Sequence, residues 1–420
     1  MRGATGLLTG AGNPSASINL VRKHADSREF TGWTSLAASR WNTYRAQVDV
    51  SAPLSAGGAL RGRTVWVYED GDSFVDFAAN KKIVAYAVVD GDLSEATSIS
   101  LGASYQDNDP TASQWGGLPI FFSDGSRTNW RRSQTVGARW TYWATATKSY
   151  FANLNHEFGA RWQARLDVNR VESSSDMRLL YLFGSPDPVT GLGMGAFPRG
   201  YDNKRQQNSF GMRVNGRFDL LGREHELVLG GLHTEQDFIY YGYNPLSVPN
   251  VGDFYAWDGS YPQPQWSNRA AFQDETTEQT GWYAASRLSV TDALKVILGA
   301  RLADWARSGT TLATAYGDDN VVVPYVGALF DIDQRHTLYA SYTEIFNPQN
   351  RLDRNARYLD PLIGKNYEIG LKSRFYQGLL HTSITLFKTE QDNFAANDPS
   401  FVPTATQAAA FIATRGVESG

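Results

Sequence analysis

The chain has 420 residues, with 39 Lys and Arg against 43 Asp and Glu, and no Cys. The formal net charge of −4 argues against a nucleic-acid partner, and the missing thiols exclude a disulfide framework, a cysteine zinc site and a thiol nucleophile. Mean hydropathy is −0.39 and no long apolar run occurs, which excludes transmembrane helices but not membrane strands, whose alternating faces average out.

Residues 1–23 carry two short apolar runs, Leu7-Leu8 and Ile18 to Val21, around a turn of Gly10, Gly12, Asn13 and Pro14. Glycine supplies positive φ and Asn-Pro initiates turns, so this stretch predicts strand, tight turn, strand. A phosphate loop is excluded, because neither a Lys-Ser/Thr pair nor an amphipathic helix follows the glycines. No charged region followed by an apolar core stands at Met1, so no signal peptide is legible there.

From Arg28 onward the chain offers about 16 candidate strands of the ~9–11 residues that a tilted membrane strand needs. In Arg161 to Asn169, Trp162, Ala164, Leu166 and Val168 alternate with Arg161, Gln163, Arg165, Asp167 and Asn169. Leu294, Val296, Leu298, Ala300 and Leu302 form a second apolar face, and Tyr367, Ile369 and Leu371 a third. Period-two alternation this strict means one face in an apolar medium and the other in water. The connections then alternate in length. Short ones fall near 53–59, 90–96, 158–160, 220–223, 291–292, 331–335 and 376–378, and long ones near 69–81, 108–143, 173–205, 243–275, 307–320, 347–365 and 393–407. Short turns on one rim and long loops on the other are the pattern of an outer-membrane barrel, and a soluble sandwich has no reason to keep it.

The wording of several stretches is more specific. Arg2-Gly-Ala-Thr-Gly-Leu-Leu-Thr-Gly-Ala-Gly-Asn-Pro-Ser-Ala-Ser-Ile-Asn-Leu-Val-Arg-Lys23 resembles the end of the plug domain in TonB-dependent ferric-siderophore receptors. Leu338 to Gln349, Leu359-Asp-Pro361, Gly364 to Lys372, Leu386 to Asn393 and Arg415-Gly-Val-Glu418 resemble, in order, the barrel motifs of the same family. The resemblance implies an all-β fold, an antiparallel transmembrane β-barrel preceded by the remnant of a plug: 1–27 the end of the plug, with Arg2, Gly3, Gly12, Asn13, Pro14, Asn19 and Lys23 as its motif, and 28–420 an incomplete barrel. Family barrels have about 22 strands around a plugged lumen, so both ends are expected to be cut, with signal peptide, TonB box and most of the plug lying upstream.

The implied function is TonB-dependent uptake of a ferric siderophore across the bacterial outer membrane, with outer-membrane lipid and the TonB complex as partners. The plug and loop wording is nearest to receptors for hydroxamates of the coprogen and ferrioxamine kind or for pyoverdine. The siderophore would supply the iron ligands, so no cofactor and no catalytic residue is expected. The six His are scattered without ligand spacing, and no nucleophile elbow is present. Aromatics in the long connections make good walls for an iron chelate. Trp115, Trp130, Tyr241, Tyr243, Trp257 and Trp266 are therefore the predicted siderophore-binding residues, while Trp140, Trp143, Phe238 and Trp282, near strand ends, are assigned to the membrane aromatic belt. A passive porin and a soluble β-rich binding protein or enzyme are the competing readings.

Overall fold

The computed structural model describes residues 6–14, 20–310, 315–355, 357–397 and 414–417. After one helical turn, α1 (Gly6–Thr9), come β1 (Thr31–Ser39), β2 (Thr43–Pro53), β3 (Leu60–Asp72), β4 (Ala79–Ser94) and β5 (Thr97–Thr111). β6 (Tyr142–Phe158), β7 (Trp162–Phe183), β8 (Gly195–Leu220), β9 (Arg223–Tyr243) and β10 (Ala270–Ser289) follow. β11 (Leu294–Gly309), β12 (Tyr316–Asp331), β13 (His336–Asn347), β14 (Leu362–Phe375) and β15 (Leu380–Asp392) complete a fifteen-stranded antiparallel sheet in strict chain order. Two short strands, β16 (Phe394–Asn397) and β17 (Thr414–Val417), pair with each other. Among the described residues β1 pairs only with β2, and β15 only with β14.

Burial in this sheet is inverted relative to a soluble protein. Leu298 on β11 is 47 % exposed, whereas Arg301 on the same strand is 0 %. Val168, Leu229, Val326 and Ile369 are likewise exposed, while Asp49, Asp90, Asn153 and Asn366 are buried. Register joins the outward-facing residues into rows: Leu154, Leu166 and Met212 stand side by side, as do Leu338, Leu371 and Ile384. A continuous outward apolar surface of this kind is stable only against hydrocarbon. The alternation expected for 161–169, 294–302 and 366–375 is present. One rim carries turns as tight as 95–96 and 221–222, the other the loops 112–141, 184–194, 244–269 and 348–361.

Two sequence-based expectations need correction. The first stretch is not a hairpin among the described residues. Gly6–Thr9 makes one helical turn, closed by a bond from Gly10 N–H to the Gly6 carbonyl at 3.1 Å, and Gly10 leaves it at φ +81°, a conformation glycine adopts without steric cost. The segment 173–205 is not one long loop either. β7 has 22 residues and β8 has 26, so both continue well past the ~9–11 residues needed to cross a bilayer, and the loop between them is only 184–194. Above the apolar band both faces are wet, so Glu172, Ser173, Ser174, Ser175 and Asp176 show no alternation although they are strand.

Candidate functional site

The inner face of the sheet holds the N-terminal segment at two levels. Toward the long-loop rim, Gly12 N–H donates to the Phe346 carbonyl at 2.8 Å and the Asn347 amide donates to Asn13 Oδ1 at 3.0 Å. Ala11 packs on an inner cluster of Ala303, Trp305, Val323 and Phe346. Gly364 leaves room for the Pro14 ring, which a Cβ at 364 would strike. Toward the short-turn rim, Lys23 Nζ meets Asp49 Oδ2 at 2.9 Å, His24 Nδ1 lies 3.0 Å from Asp90 Oδ1, and Ala25 N–H donates to Asp90 Oδ2. Arg63 donates to both Asp49 oxygens at 2.8 Å and to the His24 carbonyl at 3.0 Å. Arg61 pairs with both oxygens of Asp92 and donates from Nε to the Ala25 carbonyl at 2.9 Å. Paired arginines and carboxylates thus present a fixed polar lattice to the passing backbone, and Ala25 is fully buried on it. Of the seven N-terminal motif residues, Gly12, Asn13, Pro14 and Lys23 touch this wall; Arg2, Gly3 and Asn19 lie outside the described residues. These anchors were missed from sequence, although charges at every second position, Arg61-x-Arg63 and Asp90-x-Asp92, signalled a wetted inner face.

Register sorts the mouth residues by face. On β7, Asp167 and Asn169 face inward, where Arg22 reaches Asn169 Oδ1, and no register shift interrupts the ladder up to Phe183. Tyr181 and its neighbour Phe197 therefore lie on the inner side, as does Tyr201. Trp115 packs against all three, at ring distances of 5.8, 6.2 and 6.1 Å. Tyr201 stacks on Tyr240 at 5.1 Å, and the Arg205 guanidinium lies 4.7 Å over Phe238. This is an inward-facing wall of aromatics and guanidinium groups, borne mostly by strands. Taking 173–205 as loop hid it, although Phe197-x-Arg199-x-Tyr201 already has period two.

The other predicted mouth residues build a second structure. Leu180 and Leu182, on the outward parity of β7, join Val136, Ala138, Met194, Phe254 and Tyr261 in a buried cluster that ties loops 112–141 and 244–269 to the β7–β8 hairpin. Trp130 packs edge-on against Phe254 at 5.2 Å and donates from Nε1 to the Pro119 carbonyl at 2.8 Å; Trp257 packs on the same cluster. Trp266 meets Trp140 at 6.2 Å and the Arg178 guanidinium at 5.8 Å. Tyr241 and Tyr243 are strand residues of β9, opposite Asp202 and Gly200, rather than mid-loop. Arg178 lies 4.4 Å over the Tyr243 ring and Arg269 4.4 Å over Tyr241. Of the aromatics assigned to the belt, Trp282 is outward and 55 % exposed, as expected. Trp143 and Phe238 share the inner face by register, and Trp140 belongs to the loop cluster, where its Nε1 donates to the Tyr261 carbonyl at 2.7 Å.

The loops are fixed by short polar staples. Asp187 Oδ1 accepts from the N–H groups of Val189 and Thr190 at 2.9 and 2.8 Å, and these donors hold its carboxyl below the usual range. Asp258 is held down in the same way by Ser260. Burial pushes the Tyr261 phenol up, and its hydroxyl donates to the Pro249 carbonyl at 2.8 Å. Among the described residues no group of three or more His, Asp or Glu side chains is arranged to hold a metal.

An outward apolar sheet face, an inner face crossed by a bound chain segment, and an aromatic mouth on one rim define the wall of an obstructed membrane β-barrel. Residues 91–419 match the family model described as TonB dependent receptor-like, beta-barrel, and the chain belongs to that family, whose place is the bacterial outer membrane. It is 37 % identical over 428 residues to the ferripyoverdine receptor of Pseudomonas aeruginosa, covering all of this chain and 52 % of that protein. Identity to the ferrioxamine B receptor of Salmonella typhimurium is 22 % over 441 residues, covering all of this chain and 59 % of that one. The crystal structure of the Pseudomonas aeruginosa receptor bound to ferripyoverdine superposes with a TM-score of 0.93 at 37 % identity, over 99 % of this chain and 55 % of the other. The chain thus spans about half the length of the curated relatives it matches.

Proposed function

We propose that the protein to which this wall belongs takes up a ferric siderophore of the pyoverdine class across the outer membrane, energised through the TonB complex. The observation that carries this reading is the N-terminal segment bonded across the inner face, since a passive porin keeps its lumen open. In this reading residues 1–27 end a plug and 28–420 belong to the barrel; Arg2, Gly3, Gly12, Asn13, Pro14, Asn19 and Lys23 are the plug's sequence motif, of which Gly12, Asn13, Pro14 and Lys23 dock it on the wall. Pyoverdine is preferred over ferrioxamine because identity to the pyoverdine receptor is 37 % against 22 %.

The cargo brings its own iron ligands, so the protein supplies contact area and charge and makes or breaks no covalent bond. Trp115 is the predicted aromatic best disposed to touch the chelate, with Tyr201 and Tyr240 beside it. Trp130, Trp257 and Trp266 support the site by ordering the loops, and Tyr241 and Tyr243 by fixing the β8–β9 edge. The test is growth of iron-starved cells that carry the complete gene, with ferripyoverdine as sole iron source, in the presence and absence of TonB. Growth only when both gene and TonB are present is expected; TonB-independent growth would favour a porin.

A further inference from the structure

The β7–β8 register sets Arg165 directly opposite Arg213 on the inner face. Like charges at opposed positions destabilise a strand pair, so the stability of the sheet does not account for this arrangement. A third guanidinium comes from the N-terminal segment: Arg22 donates to Asn169 Oδ1 at 2.9 Å and lies 4.4 Å over the Phe151 ring. All three arginines line one cavity of about 470 Å³ beside that segment.

Among the described residues the only carboxylate in its lining, Asp167, is already engaged by Arg165 Nε at 2.8 and 3.0 Å and by the Asn153 amide. Arg213 has no acidic partner among the described residues, and its side chain is exposed to the lumen. Three cations facing one anion leave a surplus of two positive charges around a polar cavity. Gly211, also on the inner face, keeps the space open, since the nearest atom to a Cβ there would be 3.7 Å away. On β8, Arg213 stands twelve residues below Tyr201 of the aromatic wall, a drop of about 40 Å along the strand.

We propose that this cavity is an anion-binding station, in which Arg22, Arg165 and Arg213 hold a carboxylate of the ferric chelate as it passes the N-terminal segment. The planar guanidinium fork matches a carboxylate, and three forks from β7, β8 and the N-terminal segment can grip an anion that moves past them. The proposal rests on the uptake reading above and adds that the cargo is anionic.

The test uses cells that carry the complete gene and two radioiron-loaded pyoverdines, one with a free succinic acid side chain and one with that carboxylate converted to its amide. Arg213→Glu reverses the charge without breaking an ion pair among the described residues, and Arg213→Lys keeps the charge. Uptake of the acid form is expected to fall about tenfold in Arg213→Glu and to stay within about threefold of wild type in Arg213→Lys, with binding to chilled cells unchanged in both. The amide form is expected to be insensitive to Arg213→Glu. Equal uptake of the acid form by wild type and Arg213→Glu overturns the station. If wild-type cells bind neither chelate, the uptake reading fails instead, and calorimetric titration of the purified protein with inorganic phosphate decides the station alone. Phosphate binding that Arg213→Glu removes supports a site for free anions, and no binding overturns it.

Discussion

Replacing Asp49 by Ala removes the acceptor shared by the wall and the N-terminal segment. Its carboxylate is 3 % exposed, accepts two 2.8 Å bonds from Arg63, itself 22 % exposed, and meets Lys23, which is 47 % exposed. Taking one partner from a buried pair leaves a desolvated charge and typically costs about 3–5 kcal/mol, and the partial exposure of Arg63 points to the lower end. The Lys23 contact is half in solvent, so Lys23→Ala is expected to cost about 0–1 kcal/mol. Asp49→Ala therefore weakens chiefly the wall, and Lys23→Ala barely loosens the segment, which Asp90, Arg61 and Arg63 still hold through the backbone of 24–25. Urea unfolding in detergent reads the first effect, and hydrogen exchange at the Ala25 amide reads the second. A Lys23→Ala variant that freed the Ala25 amide as fully as Asp49→Ala would refute this assignment of the anchoring.

Leu298→Arg puts a charge in the outward apolar row and is expected to cost about 2–4 kcal/mol, whereas Gln207→Arg on the inner face of β8 costs much less; thermal unfolding of the assembled barrel compares them. Trp130→Ala opens a cavity against Phe254 and removes one of two bonds to the Pro119 carbonyl, which Thr128 Oγ1 still donates to, so a loss of about 3–5 kcal/mol is expected within the loop cluster. Loops 112–141 and 244–269 then become protease-sensitive together, whereas Trp115→Ala leaves them resistant and weakens ferripyoverdine binding about tenfold. The Asp187 carboxyl is held below its unfolded value, near 3.9, so its contribution to the 184–194 turn is full above that pH and disappears as pH falls through the folded value. Protection of the Thr190 amide, its exchange rate relative to the intrinsic rate at the same pH, is expected to fall at acid pH in wild type and to lose that dependence in Asp187→Asn.

The membrane-facing part of the fold was legible in the sequence because the solvent there imposes a pattern. Leu166 next to Asp167 can alternate only if one side chain faces hydrocarbon and the other water, and the tight turns at 95–96 and 221–222 mark the rim. Where both faces are wet that constraint lapses, so the upper halves of β7 and β8 read as loop and the wall around Tyr201 and Tyr240 went unseen. Composition identified Trp130 and Trp257 as large aromatic surfaces in long connections. Whether the Trp130 ring meets a ligand or Phe254 is decided by a contact more than a hundred residues away in sequence, and nothing local to Trp130 encodes that choice. Gly10 shows the same limit on a smaller scale, since a positive-φ glycine closes a helical turn as readily as a hairpin.

The length of the central hairpins has a thermodynamic corollary. At 26 residues β8 extends about 85 Å, roughly two and a half times the ~30–35 Å taken up by a membrane-spanning stretch of nine to eleven residues. Tyr201, Phe238 and Tyr240 are therefore carried on hydrogen-bonded ladder rather than on free loop. Ordering a mobile loop around a ligand typically costs about 0.5–1.5 kcal/mol for each side chain immobilised, and residues already fixed in a ladder escape most of that loss. If the proposed uptake holds, capture on such a rigid palisade is limited by diffusion and orientation rather than by a closing motion, a regime in which tighter binding shows itself as slower escape.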